Sequence, residues 1–321
     1  MKQIFFFLLT LFILSSCEVQ PKKLFNAVIY QDSSLPVLED IVSLDEKKIQ
    51  LIFSEPVTVT SYVSKENKVK QVIESENKVT FLFETALPIN KEIELSLCAK
   101  DKGENALSLT IGITGKNPDI PRIVINEFLA KGTDTQPNRI EFECQSFGNL
   151  AGLFLTNNVK GLGTLSYEFP SIEVRKGQYI VLYIDSKPSS DVKNDLESNN
   201  VVVLEANLNS SFPSTNGLCI LYDTKLGKGK ILDCIAYVSN TASTYSGFGK
   251  KELEQGFKVL TDNGDWFGDP INAEKSTSTR TICRYMGKGE DTNTAFDFYI
   301  ANTRCSSFGR PNTNEEYMEA K

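Results

Sequence analysis

Short runs of β-forming residues, separated by turn or charged residues, recur from Val37 to about Asn314, and the 3.6-residue periodicity of a helix is nearly absent. In the first part of the chain the runs fall at 38–44, 48–53, 57–64, 69–74, 78–83, 92–98 and 108–114. Ile49, Leu51 and Phe53 alternate onto one face of their run, and Val79, Phe81 and Phe83 do the same, so each strand is expected to bury one side in an antiparallel sandwich. Asn117-Pro118-Asp119-Ile120-Pro121 then stiffens the chain and marks a boundary. Beyond it, runs fall at 123–129, 139–144, 152–156, 178–185, 201–205, 218–222, 231–238, 279–285 and 296–301. Only 250–260 offers a helical turn or two, with Leu253, Phe257 and Leu260 on one side. The expected fold class is therefore all-β: a β-sandwich over 37–117, a second sandwich or open barrel over 122–314, and a short tail over 315–321.

The first residues set the compartment. Lys2 supplies a positive charge, Ile4 to Leu14 is an almost unbroken apolar run, and Ser15-Ser16 leads into Cys17, which is the layout of a secretory signal peptide over 1–16. At roughly 11 residues the run is short of the about 20 that span a bilayer. Leu14-Ser15-Ser16-Cys17 resembles the bacterial lipobox, in which cleavage before the cysteine is coupled to diacylglycerol attachment on its sulfur. That resemblance implies lipidation of Cys17 and a lipoprotein of the bacterial cell envelope, periplasmic or surface-exposed. The polar stretch that follows, with Lys22-Lys23 and little periodicity, reads as a tether over 17–36 in which 25–30 could form a strand. Each buried CH₂ of the acyl chains would contribute about 0.8 kcal/mol to membrane anchoring.

Two further resemblances assign the modules. Ile49-Gln50-Leu51-Ile52-Phe53-Ser54-Glu55-Pro56-Val57 and Asp101-Lys102-Gly103-Glu104-Asn105-Ala106-Leu107 are similar to the strand-and-turn start and the closing turn of bacterial Ig-like domains, with Glu104 as an insertion in the second motif. In the second module, Val124-Ile125-Asn126-Glu127-Phe128, Asn138-Arg139-Ile140-Glu141-Phe142 and Leu150-Ala151-Gly152-Leu153-Phe154-Leu155-Thr156-Asn157 resemble the opening strands of the lamin-tail domain. Phe169-Pro170 with Lys176-Gly177-Gln178-Tyr179-Ile180-Val181-Leu182, the pair Leu221-Tyr222-Asp223 and Asp233-Cys234-Ile235-Ala236-Tyr237, and Phe308-Gly309-Arg310-Pro311-Asn312 continue the likeness. Tryptophans that the family often carries are replaced by Arg139 and Phe154, and the closing Pro and Gly are rearranged. These resemblances imply Ig-like β-folds serving as a non-catalytic interaction or scaffolding module. A ligand-capturing lipoprotein for glycan or peptide is the alternative, and a hydrolase or nuclease accessory protein a more distant one.

The side-chain inventory points the same way. The chain contains no histidine, which removes Ser-His-Asp, Cys-His and histidine-metal sites together. No nucleophile elbow, phosphate loop or dinucleotide glycine pattern occurs, and Gly227-Lys228-Gly229-Lys230 is a basic hairpin turn. Serine–lysine or paired-carboxylate chemistry would need a constellation that the sequence does not mark, so no enzyme and no cofactor is expected. A formal net charge of −7 gives no basic field to concentrate nucleic acid, leaving the membrane and an unidentified protein or glycan as partners. Asn126 and Glu127, polar in an apolar strand, are expected to fix a neighbouring loop by hydrogen bonds, with a ligand role as the alternative. Asp262, Asp265 and Asp269, in a glycine-containing turn, are the candidate calcium ligands, though without EF-hand spacing; the alternative is a turn that packs Trp266 and Phe267 against the core. Tyr245, Phe248 and Trp266 are candidate exposed aromatics for a glycan or peptide.

Removing Cys17 leaves six cysteines in a compartment where disulfides persist. If Asp223 and Lys230 close a hairpin around 224–229, Cys219 and Cys234 fall opposite each other, about 4.5–5.5 Å apart at Cα and within disulfide reach. A one-residue bulge would instead put the two sulfurs on opposite faces. Cys283 with Cys305 follows by elimination only, and Cys98 and Cys144 are left as thiols in separate modules.

Overall fold

In the computed structural model, residues 34–239, 242–287 and 291–319 are described. The signal-peptide segment, Cys17 and the tether up to residue 33 lie outside the described residues.

Seven strands build the first core: β1 (Leu38–Asp45), β2 (Lys48–Phe53), β3 (Thr58–Ser64), β4 (Val69–Ser75), β5 (Lys78–Phe83), β6 (Ile93–Lys100) and β7 (Ala106–Ile113). They form an antiparallel sheet in the order β1-β2-β5-β4 and another in the order β3-β6-β7. Alternation drives the packing. Ile49, Leu51, Phe53, Val79, Phe81 and Phe83 are buried, and Ile93, Leu95, Leu97 and Ala99 join them in one cluster. The intervening residues of these strands are exposed or half-buried.

The second core gathers residues from Ile123 to Phe298. Its strands are β8 (Ile123–Leu129), β9 (Arg139–Cys144), β10 (Gly148–Asn149), β11 (Phe154–Thr156), β12 (Ser166–Glu168), β13 (Glu173–Val174), β14 (Tyr179–Tyr183), β15 (Val202–Glu205), β16 (Gly217–Tyr222), β17 (Ile231–Val238), β18 (Ile271–Asn272), β19 (Ile282–Arg284) and β20 (Phe298–Ile300). A six-stranded sheet, β15-β14-β9-β8-β19-β20, stands with a five-stranded sheet, β12-β11-β16-β17-β18, and a short β10-β13 pair. The architecture is all-β and sandwich-type, not an open barrel.

Two helices depart from the expectation. Helix α1 (Ser190–Ser198) connects β14 to the parallel strand β15, because parallel neighbours need a crossover rather than a tight turn. Ser189 caps it by accepting from the Val192 N–H, and Leu196 packs with Val181 and Tyr183. Helix α2 (Lys251–Asn263) connects β17 to parallel β18 and runs 13 residues, longer than the one or two turns expected; Gly264, at φ 77°, ends it in the left-handed conformation.

The boundary segment is fixed to the second core. Asn117, 5% exposed, donates from Nδ2 to the carbonyls of Asn149 (2.7 Å) and Ala151 (2.9 Å). The β16–β17 loop reaches back the other way. Leu226 packs against the first core, Lys228 N–H donates to Asp40 Oδ1 at 2.8 Å, and Lys225 pairs with Glu92 at 2.7 Å. Lys160 braces this loop from beneath, its ammonium donating to the carbonyls of Thr224, Leu226 and Gly227 at 2.6, 3.4 and 3.1 Å.

The expected Cys219–Cys234 disulfide is corrected by register. Asp223 and Lys230 do close the hairpin, with Asp223 N–H donating to Lys230 O at 2.9 Å, and Tyr222 pairs with Ile231. A bulge at Leu232 then shifts the ladder, so that Cys219 opposes Ile235 and Cys234 opposes Ile220. The two cysteines therefore face opposite sides of the sheet. Cys283 and Cys305 are thiols too: Cys283 is buried beside Thr281, while Cys305 contacts the Glu315 carboxylate at 3.4 Å. All six described cysteines are free.

Candidate functional site

The most unusual chemistry lies on the outer face of the six-stranded sheet. Register places Val203, Val181, Glu141, Glu127, Cys283 and Tyr299 in one row across its six strands. Two carboxylates thus stand directly opposite each other in the middle of the sheet, both 0% exposed. A bulge at Asn126 brings this about. Ile125 pairs with Phe142 and Glu127 with Glu141, so Asn126 is an extra residue that turns its amide toward the same face.

Every oxygen of the pair has a donor. Glu127 Oε1 accepts from Thr281 Oγ1 at 2.6 Å, and Oε2 accepts from the Ser307 N–H at 2.9 Å and its hydroxyl at 3.1 Å. Glu141 Oε1 accepts from Asn126 Nδ2 at 2.7 Å, and Oε2 from the Gly309 N–H. Asn312 completes the tie: its Nδ2 donates to Arg284 O at 2.7 Å, Asn126 Oδ1 at 3.0 Å and Asn126 O at 3.1 Å, and its Oδ1 accepts from Ser307 Oγ at 2.7 Å. Burial raises both carboxyls; for Glu141 the neighbouring Glu127 charge pushes it well up in addition, against the donors from Gly309 and Asn126. The C-terminal segment is thereby strapped across strands from which it is separated by some 180 residues. Asn126 and Glu127 do fix a distant loop by hydrogen bonds, as read from their polarity; the pairing of Glu127 with Glu141 was not foreseen. Its only trace is the recurrence of an acid inside two neighbouring apolar runs, Ile125-Asn126-Glu127 and Ile140-Glu141-Phe142.

A second buried tie joins the two sheets. Beyond the last β8–β19 pair, Cys283 with Glu127, the N–H of Ile125 donates to Asp233 Oδ2 at 2.5 Å and its carbonyl accepts from Arg284 Nε at 2.9 Å. Arg284 also pairs with Asp233 at 2.7 Å and Asp291 at 2.9 Å. The buried guanidinium is thus fully compensated.

Arg139, on the same outer face, differs. It is 9% exposed, lies 4.1 Å from the Phe308 ring centroid and 5.8 Å from that of Tyr183, and donates only to neutral groups, Pro137 O at 3.2 Å and Gln136 Oε1 at 3.1 Å. Its Nε is buried without a partner. It lines a cavity of about 730 Å³. The cavity lies between the start of α1 and the C-terminal segment, with Val192, Leu196 and Phe308 as apolar walls and Asp134 and Asp191 among its carboxylates.

The residues singled out for calcium are not gathered into a site. Asp262 is held by Lys258 at 2.8 Å within α2, and the backbone carbonyls of Asp265 and Asp269 accept from Cys234 Sγ and Trp266 Nε1. Among the described residues no group of three or more metal-ligating side chains occurs. Two of the candidate ligand-binding aromatics are core residues, Phe248 at 2% and Trp266 at 1% exposure, the latter stacked on Phe298; Tyr245 is exposed. Phe267, expected to pack inward, is 53% exposed.

The second core coincides with a sequence family. A family model described as TP_1001_2nd, protein second domain, matches residues 121–300, more than half of the chain. The chain belongs to this family. The match opens at Pro121, just before β8, and closes at the end of β20, so it takes in the Glu127–Glu141 pair and Arg139, while the segment carrying Ser307, Gly309 and Asn312 follows it. Among solved structures the chain is similar to a DUF4876 family protein from Bacteroides thetaiotaomicron VPI-5482, at 12% identity and a TM-score of 0.37, covering 88% of this chain and 99% of that one. No curated protein matches the chain.

Proposed function

We propose that the chain is an exported lipoprotein, anchored through Cys17 in the bacterial cell envelope, whose bacterial Ig-like and lamin-tail-like modules act as a non-catalytic interaction or scaffolding unit. One observation carries the non-catalytic part of this reading. The paired carboxylates, the arrangement best suited to acid–base work, are sealed from solvent and have all their oxygens engaged in holding the C-terminal segment. Contacts from the β16–β17 loop to the first core support a scaffold that presents both modules together.

Ligand capture is the second reading, and the cavity over Arg139 favours it. Its volume falls in the range of about 300–1,000 Å³ typical of small-molecule sites. The two readings are compatible, since a scaffold can carry a recognition pocket.

The experiment is a comparison of the wild type with Cys17→Ser in the native envelope, followed by surface proteolysis of intact cells. The wild type should fractionate with membranes and carry a lipid label, and the variant should lose both. Unchanged detergent partitioning of Cys17→Ser contradicts the anchor. Turnover of a peptide, ester or phosphodiester substrate by the purified chain contradicts the non-catalytic assignment.

A further inference from the structure

The two buried arginines of the second core pose a contrast. Arg284 has Asp233 and Asp291 within 2.9 Å, whereas no carboxylate lies within 4.0 Å of Arg139 among the described residues. Burying a guanidinium without a counter-ion is costly, because the charge loses its hydration and gains no partner. The nearest buried acids, Glu127 and Glu141, act on Arg139 only through space, because their oxygens are occupied by Thr281, Ser307, Asn126 and Gly309. Of the guanidinium's five N–H donors, two bonds go to neutral oxygens. Arg139 therefore retains charge and donors for an anion.

The rim of the cavity has the opposite sign. Lys187 pairs at 3.3 Å with Glu205, a carboxylate it shares with Lys193 at 3.0 Å, and Asp195 has Arg310 at 4.0 Å. Asp134 and Asp191 line the cavity with no cation paired to them among the described residues. A ligand that satisfies both ends carries a carboxylate inward and a cationic group outward. Between them Val192, Leu196 and Phe308 offer an apolar wall for a side chain.

We propose that the cavity over Arg139 is a recognition pocket for short peptides, with the free C-terminal carboxylate against Arg139 and an amino group or basic side chain toward Asp134 and Asp191. This rests on the reading of the chain as a non-catalytic binding module and names the ligand class of its pocket. Arg139 suits a carboxylate because its planar fork can donate two parallel N–H bonds to the two oxygens. Uronic acids would satisfy Arg139 but offer the acidic rim only hydroxyl donors and no positive charge. The water-accessible volume of about 730 Å³ suits a di- or tripeptide with side chains.

The test is calorimetric titration of the full mature chain in detergent with the tripeptide Lys-Val-Ala, its C-terminal amide, and glucuronate. The free acid should bind at least tenfold more tightly than the amide, about 1.4 kcal/mol, because the amide loses the charge-assisted hydrogen-bonded pair with Arg139. Arg139→Met should abolish that preference while circular dichroism and the unfolding midpoint show a folded protein. Asp191→Asn, on the exposed rim, should weaken binding several-fold and keep the acid-over-amide preference, which makes the test independent of whether Arg139→Met folds. Equal binding of acid and amide, no binding of the tripeptide, or tighter binding of glucuronate each overturns the peptide assignment and leaves the scaffold reading standing. Cleavage of the tripeptide would instead overturn the non-catalytic reading.

Discussion

The two cores solve the problem of a β-sheet's two faces differently. In the first, β2, β5 and β6 alternate buried and accessible residues, so one face packs and the other meets solvent. In the second, every residue of β8 and of β16 is buried, and the outer face of the six-stranded sheet is covered by α1 and the C-terminal segment. Polar side chains on that covered face must then be satisfied internally, and Glu127, Glu141, Asn126 and Asn312 satisfy one another and the backbone across long sequence separations. A sheet open to water on one face packs through the apolar side chains of the other; a sheet covered on both sides adds a polar interior whose geometry is specific and whose loss is expensive.

The largest expected effect is on the first core. Phe81→Ala removes a fully buried ring and should lower stability by about 3–5 kcal/mol, read by denaturant unfolding, with little change in the amide exchange of the second core. The comparable lesion in the second core is polar. Asn312→Ala strands the Arg284 carbonyl and leaves Ser307 and Asn126 short of partners, at an expected cost of about 2–4 kcal/mol, although the side chain removed is hydrophilic. A cost under about 0.5 kcal/mol, like that of an ordinary surface change, would erase the distinction between the cores.

The pH response should differ in sign. Glu127 and Glu141 hold their protons more tightly when folded than at the usual 4.5, so the folded second core binds more protons than the unfolded chain above that value. Their contribution to stability is present in full below 4.5 and is lost as pH rises through the raised values. The only shifted carboxylate among the described first-core residues, Asp45, is held below 3.8 by Lys48, and the small contribution of that exposed group is lost as pH falls. Unfolding followed separately in the two cores should therefore show the second becoming more stable on mild acidification, and Glu141→Gln should flatten that profile. The smallest effect is expected on the open face of the first core: Ser96→Ala breaks an exposed hydroxyl pair with Thr110 and should change stability by less than about 0.5 kcal/mol.

What could be read from the sequence follows the same division. Ile49, Leu51, Phe53, Val79, Phe81 and Phe83 announce their shared face because the residues between them meet water. In β8 that alternation is lost, since both faces are covered, and the bulge at Asn126 breaks the period at the very residues of interest. A bulge at Leu232 likewise turned a sound hairpin closure at Asp223 and Lys230 into the wrong partner for Cys219. Helix α1 carried a local signal in Ser189 followed by Asp191, with Val192 and Leu196 one turn apart, but its length of nine residues gives little periodicity to find. The covering of Glu127 and Glu141 by Ser307 and Gly309 depends on tertiary contacts that no local pattern encodes.

Amide hydrogen exchange at Ser307 and Gly309 tests most directly whether the buried acids hold the C-terminal segment to the sheet. Both N–H groups donate to buried carboxylates rather than to a strand ladder. They should exchange as slowly as the amides of β8 and β9 and become fast in Asn312→Ala. Rapid exchange at Ser307 and Gly309 in the wild-type protein would contradict the strap, because the segment would then leave Glu127 and Glu141 without their donors.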